Sequence, residues 1–238
     1  MNTVRRFDMP PPAPAPAVPD LYQLLGELQG SRDLVRLAKA VPGWRKLPRA
    51  KDKTAVLIPG WKAPEASMTP LKLFLKSRGV DARHWGLGIN QGDPERDAER
   101  LAERIAPVAS KRGPVTLVGW SLGGVIAREV ARELPEQVEQ VITYGSPIIG
   151  GPTYTPAAAS YGEEECERIA DLVEELDSES PIQVPITAIF SRKDGIVSWP
   201  ACIDRSNPRV THYEVQSTHL SMGIDPDVWH LVLSRLAH

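Results

Sequence analysis

The sequence predicts an α/β fold in which a mostly parallel central sheet carries helices on both faces. Short runs rich in β-branched residues alternate with segments whose apolar residues recur about every 3.6 positions. Parallel strands need long crossover connections, and helices usually supply them. A length of 238 residues also suits a single sizeable core. Together these observations favour successive strand-helix-strand units in one domain.

The predicted elements follow one another along residues 54–237. Each predicted strand is short and apolar, and most strands are followed by a segment with helical periodicity. The strands are predicted at 54–58, 82–88, 115–119, 140–145, 185–191 and 210–215. The helices are predicted at 70–77, 94–109, 122–133, 166–176 and 226–237.

Two N-terminal segments precede this alternating region. Residues 1–20 contain the run MPPPAPAPAVP, which favours extended polyproline II structure, so we expect a flexible Pro/Ala-rich arm there. Residues 21–53 begin with leucines at helical spacing, and Ser31 follows Gly30 at a position where it can cap a second helix. We therefore expect a helical extension over 21–53, docked on a main domain over 54–238.

Composition and charge argue against several classes of partner. The formal net charge of -2 gives no general attraction to nucleic acid or to anionic membranes. No run approaches the roughly 18 apolar residues of a transmembrane segment. Arg5 and Arg6 resemble the start of an export signal, but Asp8 and prolines follow where an apolar segment is required. Cys166 and Cys202 lack metal-site spacing and fit a reducing compartment, so we expect a cytoplasmic protein without a metal.

The stretch Gly119-Trp120-Ser121-Leu122-Gly123 joins a predicted strand to a predicted helix. Ligands of an open parallel sheet bind at the carboxyl ends of the strands, and Ser121 falls at one of these ends. A sharp turn there strains the serine backbone and requires small neighbours two residues away, which Gly119 and Gly123 provide. The motif therefore predicts a nucleophilic serine. A plain glycine-rich turn is the alternative, and a phosphate-binding loop is disfavoured because no Lys-Ser or Lys-Thr pair follows the glycines.

A serine nucleophile needs a base, and the base needs an orienting carboxylate. His219 follows the last predicted strand, so its side chain can reach across the strand ends. Asp194 follows the strand at 185–191 and precedes a glycine that permits a tight turn, with Asp204 as its best substitute. The remaining histidines lie in strand-like runs, in the terminal helix or at the chain end: His84, His212, His230 and His238.

Two backbone N–H groups are expected to stabilise a negatively charged oxygen beside Ser121. Such an oxyanion hole commonly takes one N–H from the residue after the nucleophile and one from the loop after an earlier strand. Leu122 supplies the first. Trp61, in the stretch IPGWKAP, supplies the second, and Gly60 lets the backbone approach the substrate.

These motifs together resemble the α/β-hydrolase superfamily, in particular its bacterial esterase-like and lipase-like serine hydrolases. The resemblance spans about residues 54–237 and rests on PGW, GLGIN, LVGWSLGG, YGSPIIGG, PITAIFSRKDGIV and STHLSMGIDPDV. It implies the α/β-hydrolase fold and serine chemistry without a metal or an organic cofactor. Pro59 stands where such enzymes often carry a histidine, a departure that affects the usual polar support of the oxyanion loop but not its backbone donor. The resemblance also implies that Asn90 holds loops together beside the site.

The implied reaction is hydrolysis of a small-molecule or lipid carboxylic ester through an acyl-enzyme. Ser121 is the expected nucleophile, His219 the base and Asp194 the orienting acid. Trp120 and Trp199 are candidate residues of an acyl pocket. Acyl transfer, thioester hydrolysis and amide hydrolysis use the same acyl-enzyme and stay open. A non-catalytic binding protein on this fold is the alternative from a different class.

Residues 148–184 form an insertion at the position that a lid occupies in this fold. Ile169, Leu172, Val173 and Leu176 recur there at helical spacing beneath an acidic outer face. A helix packed permanently on the core and a mobile lid both fit this pattern.

Overall fold

Six parallel strands form most of the central sheet. In a computed structural model, which describes residues 4–237, the strand order is β1-β7-β6-β5-β4-β2-β3. The strands are β1 (Arg5–Phe7), β2 (Thr54–Ile58), β3 (Asp81–His84), β4 (Val115–Trp120), β5 (Val138–Tyr144), β6 (Ile186–Ser191) and β7 (Val210–Val215). Strands β2 to β7 pair in parallel, and β1 joins the outer edge of β7 in antiparallel orientation. The predicted α/β class with a mostly parallel sheet is confirmed.

Eight α-helices connect and flank these strands within residues 4–237. They are α1 (Leu21–Gly26), α2 (Ser31–Ala40), α3 (Thr69–Ser77), α4 (Pro94–Arg112), α5 (Leu122–Glu133), α6 (Ala158–Tyr161), α7 (Glu163–Glu179) and α8 (Pro226–Leu236). Local signals fix several helix starts. Asp93 accepts the N–H of Arg96 before α4, and proline occupies the first position of both α4 and α8. No helix within the described residues is long and apolar enough to cross a membrane.

The core has two layers, one on each face of the sheet. Strand β2 shows the arrangement, because all five of its residues are buried and successive side chains point to opposite faces. Ala55 and Leu57 pack with residues of α3 and α8, whereas Val56 and Ile58 pack with residues of α4 and α5. Burial on both faces explains why the strand is an uninterrupted apolar run.

The expectation of a flexible arm over residues 1–20 is wrong for residues 5–7, which form strand β1. Their backbone pairs with the outer edge of β7, and the Phe7 ring lies 6.2 Å from that of Phe190. Edge pairing therefore orders a segment whose composition alone predicts no structure. The proline-rich run that follows also contacts the main domain, since Ala17 N–H donates to Ser198 Oγ (3.2 Å). The first three residues of the expected arm, and His238, lie outside the described residues.

The insertion at 148–184 contains α6 and α7. Helix α7 lies against α5, where Arg128 and Arg132 both pair with Asp177. Within the insertion, Ile169 is buried and packs closely on Gly151, where a Cβ would lie 2.7 Å from Ile169 Cγ2. The two ion pairs of Asp177 hold the insertion on the main domain, and its opening as a lid stays a prediction.

Candidate active site

Ser121 stands at the sharp turn between β4 and α5. Its backbone angles are φ 53° and ψ -125°, a combination that strains a residue other than glycine by about 1–3 kcal/mol. A Cβ on Gly119 would overlap with the Gly123 carbonyl, and a Cβ on Gly123 would lie 2.7 Å from the Pro59 carbonyl oxygen. The two glycines therefore allow β4, α5 and the loop after β2 to approach one another closely, as the motif predicts.

The loops after β6 and β7 bring Asp194 and His219 together. His219 Nδ1 lies 2.8 Å from Asp194 Oδ2, and both side chains are buried. The other carboxylate oxygen of Asp194 accepts the N–H groups of Ile196 (2.9 Å) and Val197 (2.7 Å), which fixes its orientation. Gly145, after β5, has a φ of 58°, and a Cβ there would lie 3.0 Å from His219 Nδ1. A glycine at that position leaves room for the pair.

The imidazole of His219 has a raised pKa. Burial lowers this pKa, but the charge and hydrogen bond of Asp194, together with the charge of Glu27, outweigh burial and raise it above its ordinary value of 6.5. The Trp120 ring lies 5.8 Å from the imidazole and covers one side of it. The raised pKa means that the protonated form of the His219 imidazole is more stable than in a free histidine.

Ser121 and His219 line the same cavity, which has a volume of about 320 Å³. Within the described residues, the Ser121 hydroxyl makes no hydrogen bond, and none joins it to His219. Hydrogen bonds between a serine and its base are often long or poorly aligned before substrate binds, because the catalytic contacts tighten in the substrate complex. The hydroxyl is therefore open to a molecule in the cavity.

Two free backbone donors lie beside Ser121. The N–H groups of Leu122 and Trp61 have no acceptor among the described residues. A Cβ on Gly60 would lie 3.2 Å from Ser121 Cβ, so the loop that carries Trp61 passes directly next to the serine. This geometry suits the stabilisation of an oxyanion.

Asn90 supports the loop that carries Trp61. Its side chain is fully buried, with Nδ2 donating to the Pro59 carbonyl (2.9 Å) and Oδ1 accepting the N–H of Gly92 (3.0 Å). Its backbone carbonyl also accepts the N–H of Lys62 (2.8 Å). Asn90 thus supplies polar support to a loop in which Pro59 occupies the position often held by histidine.

The cavity lining is mainly apolar and includes one of the two tryptophans predicted for an acyl pocket. Trp120 and Trp61 line the cavity. The expectation that Trp199 also lines it is wrong, because its ring stacks on Phe190 (5.7 Å) with the Arg192 guanidinium 4.0 Å away on top of it. Further apolar lining comes from residues that sequence reasoning did not single out, including Leu24, Val125, Pro147, Ile196 and Leu220.

The competing acid and histidines have other roles. Asp204 pairs with Arg128 at 2.7 Å, and its backbone N–H donates to His212 Nε2 (3.1 Å). Burial lowers the pKa of His212 to about 4, so this histidine is neutral at physiological pH. His84 lies beside Thr69, and His230 of α8 packs near Phe74 of α3. None of these groups lines the cavity that contains Ser121.

Sequence reasoning missed Glu27, which contacts both loops of the Asp194 and His219 pair. Its carboxylate accepts backbone N–H groups from Gly195, His219 and Leu220. A single glutamate within a leucine-rich helical segment has no local pattern that marks it for this role. The contact joins residues that are 168 or more positions apart in the chain.

Comparison with known proteins finds a thioesterase family model and a curated esterase that each match part of the chain. A family model described as a thioesterase domain matches residues 85–181, which include Ser121 but end before Asp194 and His219. A curated relative, pimeloyl-[acyl-carrier protein] methyl ester esterase of Aliivibrio salmonicida, is 35% identical over 95 residues. That match covers 38% of this chain and 35% of the relative, so the chain matches about a third of the relative's length.

Two solved structures show the fold. One belongs to the pair of metagenome-derived lipolytic enzymes LipS and LipT. It has a TM-score of 0.59 at 14% identity, with 79% of this chain and 93% of its own covered. The esterase Pf2001 of Pyrococcus furiosus has a TM-score of 0.57 at 18% identity, with 78% of this chain and 82% of its own covered. The chain therefore has the α/β-hydrolase fold, and the resemblance to esterase-like and lipase-like members of that fold is confirmed.

Proposed function

We propose that this chain is a serine hydrolase that cleaves carboxylic esters through an acyl-enzyme on Ser121. One observation carries the proposal: a strained serine opens into an apolar cavity that is also lined by His219, and His219 is hydrogen bonded to buried Asp194. Strain of this kind persists where the surrounding structure maintains it, and it is concentrated at functional sites. A purely structural turn has no need of the buried acid and base beside it.

In the proposed reaction, His219 Nε2 takes the hydroxyl proton while Ser121 Oγ forms a bond to the ester carbonyl carbon. The carbonyl oxygen becomes an oxyanion, which the N–H groups of Leu122 and Trp61 stabilise. The imidazolium then gives its proton to the leaving alcohol as the carbon-oxygen bond breaks. Water repeats the sequence on the acyl-enzyme and releases the acid. Asp194 keeps Nδ1 protonated and stabilises the imidazolium.

The cavity supports a proposal for the substrate class. Among residues 4–237, its lining contains no charged side chain other than His219 when that residue is protonated, and most of the surface is apolar. An apolar acyl group gains free energy by leaving water for such a surface, whereas a free carboxylate in the same place lacks a partner. We therefore propose esters of apolar acyl chains, from small molecules or lipids, as substrates.

Thioester hydrolysis is the second candidate, because the matching family model is that of a thioesterase domain. The acyl-enzyme is the same, and only the leaving group differs. The curated relative is named as a methyl ester esterase acting on an acyl-carrier-protein conjugate, which favours an oxygen ester. Matched oxygen and thioesters of the same acyl chain separate the two activities by their kcat/KM.

The test is hydrolysis of p-nitrophenyl esters from acetyl to lauroyl by the wild type and by Ser121→Ala. We expect the wild type to turn over, with a preference for the longer chains, and Ser121→Ala to lose at least about 10³-fold in kcat. Equal activity of both proteins would refute Ser121 as the nucleophile. Absence of turnover in the wild type would instead favour a dedicated acyl acceptor or a binding protein. A cytoplasmic location and the lack of a nucleic-acid partner stay predictions.

A further inference from the structure

The carboxylate of Glu27 connects the N-terminal extension to the two loops that carry Asp194 and His219. Glu27 lies in a 3-10 turn that directly continues α1. Its Oε1 accepts the N–H of Gly195 (2.8 Å) and that of His219 (2.9 Å), and its Oε2 accepts the N–H of Leu220 (2.9 Å). Glu27 Oε1 therefore links the backbone of Gly195, the residue after Asp194, to the backbone of His219.

These N–H groups belong to irregular loops that have no strand or helix partner for them. We call residues 192–198 the acid loop and residues 216–220 the histidine loop. Hydrogen bonds to a charged acceptor are shorter and stronger than those between neutral groups. Without Glu27, the two loops lose the hydrogen-bond acceptor that they share. The main direct contact left between them is then the hydrogen bond between His219 and Asp194.

Two glycines allow the N-terminal extension to approach the acid loop and the residue that follows the histidine loop. A Cβ on Gly195 would overlap with the Gln23 carbonyl, and a Cβ on Gly30 would lie 2.8 Å from Ser221 Cβ. Asp33 of α2 accepts the Ser221 hydroxyl hydrogen at 2.7 Å and is itself held by Arg36. The extension is thus anchored just beyond the histidine loop by contacts that do not involve Glu27.

Apolar burial does not explain why α1 lies where it does. No residue of α1 is buried; Leu21 of α1 and Leu28 of the following turn keep 73% and 77% of their surface exposed. Only Leu24 reaches the cavity wall. The polar contacts of Glu27 therefore act together with the Gly30 and Asp33 contacts in holding this turn against the two loops.

We propose that Glu27 is a positioning residue that ties the acid loop to the histidine loop and so fixes the imidazole of His219 for proton transfer with Ser121. The inference rests on the proposed function, and it assigns a role in the site to the segment outside the matched family region. Glu27 acts through His219 and Asp194, since it touches neither Ser121 nor the substrate cavity. A misplacement of about 1 Å in such a site costs roughly 10²-fold in rate.

The charge of Glu27 gives the proposal a distinctive signature. Among the described residues, the charged groups that act on His219 are Asp194, from the acid loop, and Glu27, from the extension. Burial lowers the pKa of His219, and both carboxylates raise it. Removal of the Glu27 charge therefore lowers this pKa, and the acid limb of kcat/KM moves to lower pH. A residue that merely supports the fold has no such effect.

The test compares Glu27→Gln and Glu27→Ala with Glu103→Gln, which removes one exposed negative charge from α4. Ester hydrolysis gives kcat, KM and the pH profile. NMR gives the pKa of the His219 imidazole and the amide exchange rates of Gly195, His219 and Leu220, and thermal unfolding checks the fold. We expect Glu27→Ala to lower kcat by roughly 10²-fold with KM within about twofold. Both Glu27 variants should lower the His219 pKa and speed exchange at the three amides, and Glu103→Gln should match the wild type.

Glu27 variants that unfold at a lower temperature, yet keep the wild-type His219 pKa and acid limb, would overturn the proposal. So would a kcat equal to that of the control. The NMR measurements decide the question even if the wild type hydrolyses no ester, because they report on His219 and the three amides directly. In that event the proposed function fails while the link through Glu27 is still accepted or rejected on its own evidence.

Discussion

Replacement of Asn90 by alanine should separate catalysis from stability. The change removes two hydrogen bonds of a fully buried side chain and leaves the Pro59 carbonyl and the Gly92 N–H without their partner. Each buried polar group left unpaired costs about 1–3 kcal/mol, so for the two groups we expect a loss of roughly 2–6 kcal/mol in the free energy of unfolding. The loop that carries Trp61 also loses the side-chain bond to its Pro59 carbonyl, whereas the backbone bond from Lys62 to Asn90 stays. Loss of one oxyanion donor typically lowers kcat by about 10²–10³-fold, and we expect a decrease near the lower end.

The assay for Asn90→Ala pairs ester hydrolysis with denaturant unfolding, and Leu101→Ala is the matched control. Leu101 is fully buried in α4, and its truncation should cost about 2–5 kcal/mol through loss of apolar contacts. We expect the control to keep a near-normal kcat at temperatures where it is folded. If Asn90→Ala loses stability but keeps a kcat within about twofold of the control, the argument that Asn90 positions the oxyanion loop is refuted.

Three further outcomes follow from the site. Gly123→Ala should give little folded or active protein, because the Cβ of the alanine would overlap with the Ile58 carbonyl. Circular dichroism measures folding and ester hydrolysis measures activity. A variant with normal activity would contradict the close approach of α5 to the loop after β2. The raised pKa of His219 predicts that kcat/KM falls as pH drops, with a midpoint above 6.5, because protonation removes the base; a flat profile between pH 5 and 8 would exclude His219 from this role. Trp120→Ala should alter the preference among p-nitrophenyl chain lengths, whereas Trp199→Ala should not, since of these two residues Trp120 alone lines the cavity.

Local patterns were sufficient for the fold and for the placement of Ser121, Asp194 and His219 near one another. The alternation of strand-like and helical runs predicts the parallel sheet because each strand is buried on both faces, as β2 shows. The serine turn is also local, since the strain at Ser121 requires glycines two residues away in the same stretch of chain. The proximity of Asp194 and His219 is predictable because both residues follow parallel strands that end at the same edge of the sheet.

Long-range contacts account for what the sequence did not reveal. Strand β1 forms because β7 offers an unpaired edge more than 200 residues away, and no composition rule encodes that partner. The direction of the Trp199 ring depends on a 3-10 turn and on Phe190, so proximity to the acid loop along the chain is not enough to put it in the cavity. Glu27 also could not be predicted, since the hydrogen bonds that give it a role come from loops far away in the sequence.

The central claim is that Ser121 forms a covalent bond to an acyl-like group, and labelling with a fluorophosphonate tests it most directly. The reagent reacts with serines activated by a neighbouring base, and peptide mass spectrometry locates the adduct. We predict a single adduct on Ser121 in the wild type and its loss in His219→Ala, whose fold should persist. An adduct on another residue, or a wild type that stays unlabelled while folded, would contradict the account.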